Sequence, residues 1–148
     1  MKYGLDVNNK NILDEIINYI KDSGDFMVNL SEEDVDYNKN INYGKVLRKK
    51  VLKSNVTNID FYFKIEFVDK IKDIYIYYSP NKKIEEVINS NIEKLMTDRV
   101  LIERKEGENL YLLKNINALG IVLKIPEKLI EKVEITTIKE ILKDLREL

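Results

Sequence analysis

The chain contains no histidine and no cysteine in its 148 residues. Histidine is the side chain whose ordinary pKa lies closest to neutrality, and cysteine supplies the softest nucleophile and metal ligand. Their absence excludes a Ser-His-Asp or Cys-His catalytic arrangement, an imidazole or thiolate metal site, and a disulfide. Carboxylates, lysine, serine, threonine and tyrosine remain for chemistry. From the sequence we predict no catalytic residues, no cofactor and no bound metal.

Arginine, glycine and long apolar segments are also scarce. The 21 lysines outnumber four arginines and are accompanied by 21 isoleucines and 16 asparagines, a bias typical of an AT-rich genome. The five glycines are scattered singly, so no glycine-rich phosphate loop is present. No apolar stretch approaches the roughly 18 residues of a membrane span, and residues 1–6 lack the features of a signal peptide. We therefore expect a cytoplasmic protein with no membrane partner.

Charge is balanced over the whole chain but uneven along it. The net charge is −1, yet residues 1–40 carry four basic against nine acidic residues, and residues 41–84 carry ten basic against four acidic residues. The length and the apolar content of 44% are typical of one soluble globular domain. We predict a single domain over residues 1–148, with an uncertain loop or helix segment at 25–55.

Hydrophobic periodicity predicts the helices. Apolar residues at three- and four-residue intervals indicate helices over about 10–22 and 80–97, and a last helix that begins at a capping box formed by Thr137 and Glu140. Residues 43–53 fit a helix better than a strand, because Arg48, Lys49 and Lys50 are consecutive.

Alternating patterns predict the strands. Residues 59–67 and 71–78 each alternate with a period of two and are predicted to form a β-hairpin. A second hairpin is predicted from 100–105 and 110–114, with Gly107 at a positive φ, and a fifth strand at 120–125. Since sequential hairpins give antiparallel pairing, we predict an α+β, two-layer domain with a mostly antiparallel sheet of about five strands. Its helices would pack mainly on one face, in the order α-(α)-β-β-α-β-β-β-α.

Two resemblances bear on function. The predicted helix and hairpin at 82–115 resemble the recognition helix and wing of winged-helix DNA-binding proteins, although phosphates would repel the acidic residues of this helix and the Glu-Gly-Glu tip. The order of elements from Lys10 onward is similar to that of small dimerising adaptor domains of the roadblock and longin kind. The second resemblance implies a homodimer that binds another protein.

Three tyrosines are the candidate interface residues. Tyr62, Tyr75 and Tyr77 are predicted to lie on the sheet face opposite the phenylalanines. Tyrosine is enriched at the centres of protein interfaces. The favoured hypothesis is therefore a non-catalytic protein-interaction module, an adaptor or an inhibitor of a larger protein, that acts through this aromatic face.

Basic and acidic residues support two alternatives. Lys45, Arg48, Lys49 and Lys53 form a stripe suited to nucleic acid or an acidic partner, so a nucleic-acid-binding protein is the second hypothesis, with the solvated face of a helix as the simpler interpretation. Glu103 and Lys105 match half of a magnesium-dependent nuclease site, the least favoured alternative. We accordingly predict that the chain is not an enzyme. The sequence does not identify the partner or the oligomeric state.

Overall fold

A mixed six-stranded sheet forms the centre of the molecule. The computed structural model describes residues 1–31, 40–97, 100–107 and 109–147. The strands in chain order are β1 Lys2–Val7, β2 Phe26–Asn29, β3 Phe61–Val68, β4 Ile74–Tyr78, β5 Ile102–Glu106 and β6 Leu119–Pro126. Their spatial order is β2-β1-β3-β6-β4-β5. The first four strands in this spatial order are parallel, β4 runs antiparallel to β6, and β5 runs parallel to β4.

Helices cover both faces of this sheet. They are α1 Lys10–Asp22, α2 Asn40–Val56, α3 Lys82–Asn91, α4 Tyr111–Asn115 and α5 Ile135–Arg146, with short 3₁₀ turns at Ile92–Lys94 and Glu127–Lys132. Buried residues of α1, α3 and α5 join the larger core, on what we call the first face. Residues of α2 and α4 pack over a smaller core on the second face. None of the described helices is long and apolar enough to span a bilayer.

Local sequence explains where the first helices begin. The Asn9 side chain accepts a hydrogen bond from the Ile12 amide, so Asn9 caps α1 as its sequence position suggests. The predicted helix at 10–22 is confirmed. Asn81 caps α3, because its side chain accepts from the Lys83 and Ile84 amides. Ser79 accepts a hydrogen bond from the Gly120 amide and so joins β6 to the end of β4.

The predicted fold class, a two-layer domain with a mostly antiparallel five-stranded sheet, is wrong. The sheet has six strands and is mostly parallel, with helices on both faces. β3 and β4 do not form a hairpin, because β6 lies between them and pairs with both. An alternating pattern identifies a half-buried strand but carries no information about its neighbour, which explains the error.

The second predicted hairpin is also wrong. Residues 102–106 form β5, but Tyr111–Asn115 is the helix α4. Gly107 does not have a positive φ; its amide donates to the Tyr78 carbonyl and its carbonyl accepts from the Leu110 amide. The loop therefore turns into a helix, and the winged-helix resemblance fails. The uncertain segment at 25–55 contains β2 and most of α2. Its residues 32–39 lie outside the described residues.

Two glycines give a matched test of packing on the second face. A Cβ at Gly120 would lie 2.9 Å from the Tyr62 carbonyl oxygen and 2.7 Å from a Leu113 methyl, whereas a Cβ at Gly44 in α2 meets nothing nearer than 3.7 Å. We expect Gly120→Ala to lower the free energy of unfolding by about 1–3 kcal/mol through overpacking. Gly44→Ala should raise it by about 0.5–1 kcal/mol through helix propensity. Urea unfolding measures both, and equal effects would contradict the assigned packing.

Candidate active site

Side chains on the second face, polar apart from Val122, form two rows that cross the strands. The strand registers place Asp6, Lys64, Val122, Tyr77 and Lys105 in the first row, and Glu66, Lys124, Tyr75 and Glu103 in the second row. The second row lies nearer the carboxyl ends of the parallel strands. Open α/β sheets bind ligands at these ends, at the point in the sheet where the order of the strands reverses. Here that point lies between β1 and β3, because β2 and β3 flank β1.

Asp6 is the centre of a buried polar cluster in the first row. Its two carboxylate oxygens lie 2.9 and 3.0 Å from Lys50 Nζ, and Tyr62 OH donates to Oδ2 at 2.6 Å. Lys64 Nζ lies 3.6 Å from the same Oδ2. All four residues are buried, so their contacts with one another take the place of hydrogen bonds to water. Since Lys50 comes from α2, the cluster joins this helix to β1 and β3.

Tyr62 is held as a hydrogen-bond donor in this cluster. Burial raises the pKa of Tyr62 well above its ordinary value, and the Asp6 charge and hydrogen bond raise this pKa further. Each effect opposes the phenolate, because a second negative charge would face the Asp6 carboxylate in a dry site. The phenol therefore stays protonated and donates to Asp6 throughout the physiological pH range.

A small pocket adjoins the cluster at the second row. It has a volume of about 40 Å³, and its lining includes Tyr43 and Leu47 of α2, Glu66 of β3, Tyr111 of α4 and Lys124 of β6. This space suffices for a water molecule but not for a sugar or an amino acid. Glu66 Oε2 lies 3.6 Å from Lys64 Nζ, and Glu66 is paired in register with Lys124. The pocket thus brings a carboxylate, two ammonium groups and two phenols together.

The phenol of Tyr43 is also kept neutral. Burial raises its pKa above the ordinary value; Lys64 acts in the opposite direction, and Glu66 and Asp6 add smaller increases. Tyr43, like any tyrosine, can donate a hydrogen bond at neutral pH, and its raised pKa extends this to more alkaline pH. A positioned phenol beside a carboxylate is a combination suited to proton transfer.

Cation–π contacts connect the two rows on the side of β4 and β5. Lys124 Nζ lies 5.5 Å from the centre of the Tyr77 ring, and Lys105 Nζ lies 5.2 Å from the centre of the Tyr75 ring. Such contacts hold both partners in place and stabilise by about 0.5–1 kcal/mol at exposed positions.

The candidate tyrosines occupy the predicted face but differ in accessibility. Tyr62, Tyr75 and Tyr77 lie on the second face, opposite the phenylalanines of β3. Tyr62 is completely buried, so its ring does not contribute to a surface, whereas Tyr75 and Tyr77 are partly exposed on β4. Sequence reasoning missed Asp6 and Lys50, since β1 was not recognised and Lys50 was read with its exposed neighbours.

The other predicted contact residues lie at separate places. Lys45, Arg48, Lys49 and Lys53 are exposed on α2, and Lys53 donates to the Asn29 carbonyl. Their contact with nucleic acid or an acidic partner stays a prediction. Glu103 and Lys105 lie on β5, on the same face as the two rows. No group of three acidic side chains that could hold a metal ion lies within the described residues, and the magnesium-dependent nuclease stays a prediction.

Comparisons with known proteins give matches in structure alone. No family model and no curated protein matches the sequence. The catalytic domain of the CD27L endolysin, which targets Clostridia difficile, is similar with a TM-score of 0.73 at 12% identity, over 99% of this chain and 97% of that one. The catalytic domain of CwlV, an N-acetylmuramoyl-L-alanine amidase from Bacillus (Paenibacillus) polymyxa, has a TM-score of 0.64 at 10% identity over 99% of both chains. The N-acetylmuramoyl-L-alanine amidase AmiC2 of Nostoc punctiforme has a TM-score of 0.61 at 14% identity over 97% of both chains.

The chain has the fold of these amidases. The predicted non-catalytic adaptor or inhibitor and the prediction that the chain is not an enzyme are therefore corrected, since the solved structures that share this fold are amidases and an endolysin catalytic domain. This fold also replaces the similarity to roadblock and longin domains, which rested on element order alone. At 10–14% identity the likeness extends to the fold, and the chemistry has to be argued from the residues.

Those residues do not fit a metal centre of the kind that commonly hydrolyses amides. Catalytic zinc is usually held by three side chains drawn from histidine, cysteine and carboxylates. The chain has no histidine or cysteine, and in the described ranges no three carboxylates converge. At the carboxyl ends of β1 and β3, Asp6 is fully engaged by Lys50 and Tyr62, and two lysines flank Glu66. Ammonium groups at this position would repel a divalent cation.

Lys50 and Lys49 give a matched test of the buried cluster. Removing one partner of a buried ion pair leaves an uncompensated charge and commonly costs about 3–5 kcal/mol. We expect Lys50→Met to lower the free energy of unfolding by about that amount. Lys49→Met, at the exposed neighbouring position, should change it by less than about 0.5 kcal/mol. The measurement is urea unfolding at neutral pH, and similar values for the two variants would refute the central position of Asp6.

Proposed function

We propose that the protein hydrolyses the amide bond that joins a muramyl sugar to its peptide in peptidoglycan. The fold is that of N-acetylmuramoyl-L-alanine amidases, whose name specifies an amide between a sugar-bound carboxyl group and the amino group of L-alanine. The observation that carries the proposal is the pocket at the carboxyl ends of β3 and β6, which places Glu66 beside a space for one water molecule. The proposed reaction uses carboxylate, ammonium and phenol groups of the chain.

Glu66 is the proposed general base. Its carboxylate lines the pocket and is positioned by Lys64, with 3.6 Å between Oε2 and Nζ. A carboxylate within hydrogen-bond distance of a water molecule can accept its proton as the oxygen attacks. Asp6 is unsuited to this role, because its oxygens already accept from Lys50 and Tyr62 in a buried site.

Lys124 and Tyr43 are the proposed stabilising groups. Lys124 is paired in register with Glu66 and lines the same pocket, with its ammonium group 5.5 Å from the centre of the Tyr77 ring. A positive charge placed where an oxyanion develops stabilises the transition state more than the ground state. Tyr43 lines the same pocket, and its phenol, which is protonated at neutral pH as in any tyrosine, supplies a second donor.

The proposed reaction balances with water as the second reactant. Glu66 takes a proton from water, and the hydroxide oxygen forms a bond to the amide carbonyl carbon. The negative charge that develops on the carbonyl oxygen faces Lys124. The carbon–nitrogen bond then breaks while Glu66 returns the proton to the alanine nitrogen. The products are a carboxylic acid on the sugar and a free amino group on the peptide.

Release of amino groups tests this proposal. Purified protein is incubated with an N-acetylmuramoyl-L-alanyl peptide and with purified peptidoglycan, and new free amino groups are quantified. Since general-base catalysis typically contributes about 10²–10⁴-fold, Glu66→Gln should lower the rate by about 100-fold or more. Glu140→Gln, on the exposed surface of α5 and the first face, should retain the activity of the unmodified protein.

Two results would contradict the proposed function. One is the absence of amide cleavage by the folded protein on either substrate. The other is cleavage that Glu66→Gln and Glu140→Gln leave equally intact, because the base would then lie elsewhere. Thermal unfolding of each variant verifies that a lost rate does not reflect a lost fold.

A further inference from the structure

On the second face, the first-row residues of β1, β3 and β6 are buried, whereas those of β4 and β5 are at least partly exposed. Asp6 on β1 is 4% exposed and Lys64 on β3 is 7% exposed, since Lys50 of α2 reaches down to them. Tyr75 of β4 and Glu103 of β5 are partly exposed, and Lys105 is exposed. A ligand whose amide lies at Glu66 therefore cannot extend over β1, where α2 occupies the face. The open direction runs along the second row, over β4 and β5.

Three side chains at this open end form a compact polar and aromatic surface. Tyr75 lies in register with Lys124 on one neighbouring strand and with Glu103 on the other. Lys105 Nζ is 5.2 Å from the centre of the Tyr75 ring, which fixes the ring at the end of the row. The surface thus offers a flat apolar ring, a carboxylate acceptor and an ammonium donor. Tyrosine gives such contact area at low entropic cost, because two torsion angles position the ring.

We propose that Tyr75, Glu103 and Lys105 form a subsite that binds the amino-sugar chain of the substrate. The C–H face of a pyranose ring packs on Tyr75, Glu103 accepts hydrogen bonds from sugar hydroxyls, and Lys105 donates to an acetamido carbonyl. This inference rests on the proposed function, since it uses the muramyl substrate to choose the ligand class.

The spacing of the row fits an oligomeric ligand. Glu66 and Glu103 lie on strands separated by three inter-strand steps of about 4.8 Å, or roughly 14 Å across the sheet. A ligand that touches both residues is longer than a single sugar. The subsite therefore predicts a preference for glycan chains over an isolated muramyl peptide.

Binding of a sugar oligomer without any peptide tests the subsite. The probe is the β-1,4-linked trimer of N-acetylglucosamine, titrated into the protein and followed by amide chemical shifts. We expect Tyr75→Ala to weaken binding by about tenfold or more, the loss of one stacking contact. Tyr75→Phe, which keeps the ring, should stay within about threefold. Glu140→Gln, on the exposed surface of α5 and away from both rows, should bind the trimer as the unmodified protein does.

The outcomes separate the subsite from the proposed hydrolysis. Trimer binding that depends on Tyr75, with no amide cleavage, supports the subsite and contradicts the hydrolysis. Cleavage of peptidoglycan with a KM that Tyr75→Ala leaves unchanged contradicts the subsite and supports the hydrolysis. No binding of the trimer to the unmodified protein, or equal binding to Tyr75→Ala, overturns the subsite. Binding of a free stem peptide that Tyr75→Ala abolishes would assign the surface to the peptide and also overturn it.

Discussion

The Asp6 carboxylate is the group on which the second sheet face depends. Lys50 and Tyr62 bond to it directly, and Lys64 lies 3.6 Å away, so three polar side chains are buried because one anion is present. Buried polar groups are costly unless they are paired. The cluster therefore fixes α2 against β1 and β3 in one position. That position determines which part of the face is closed and which part is open.

The part of the second face that α2 covers determines where a ligand can bind on the part that remains accessible. With α2 packed over the first row, Tyr43 and Leu47 of this helix line the pocket at Glu66, and α4 contributes Tyr111 to the lining. Beyond this pocket the second row continues onto β4 and β5, where Tyr75 and Glu103 are partly exposed. A fold shared with amidases thus presents a carboxylate–lysine–tyrosine site at the carboxyl ends of its strands. The chemistry of this chain therefore depends on the residues that the fold places at this site.

The sequence predicted elements better than their pairing. The periodicity of α1 and the alternation of β3 identified real elements, since each depends on local burial. Sheet order could not be predicted, because β6, which pairs with both β3 and β4, lies about 50 residues later in the chain. Asp6 was missed because β1 was not recognised and a buried acid has no local signature. Lys50 was missed because its partner is 44 residues away. Tyr75 and Tyr77 were placed on the correct face, since that depends on alternation alone.

Isotope incorporation tests the central claim, that water bound at Glu66 cleaves a muramyl amide without a metal. The reaction is run on an N-acetylmuramoyl-L-alanyl peptide in H₂¹⁸O with excess chelator, and the products are analysed by mass spectrometry. The account predicts one ¹⁸O atom in the sugar carboxylate, none in the released peptide, and a rate unaffected by the chelator. Intact substrate, or cleavage that the chelator abolishes, would contradict it.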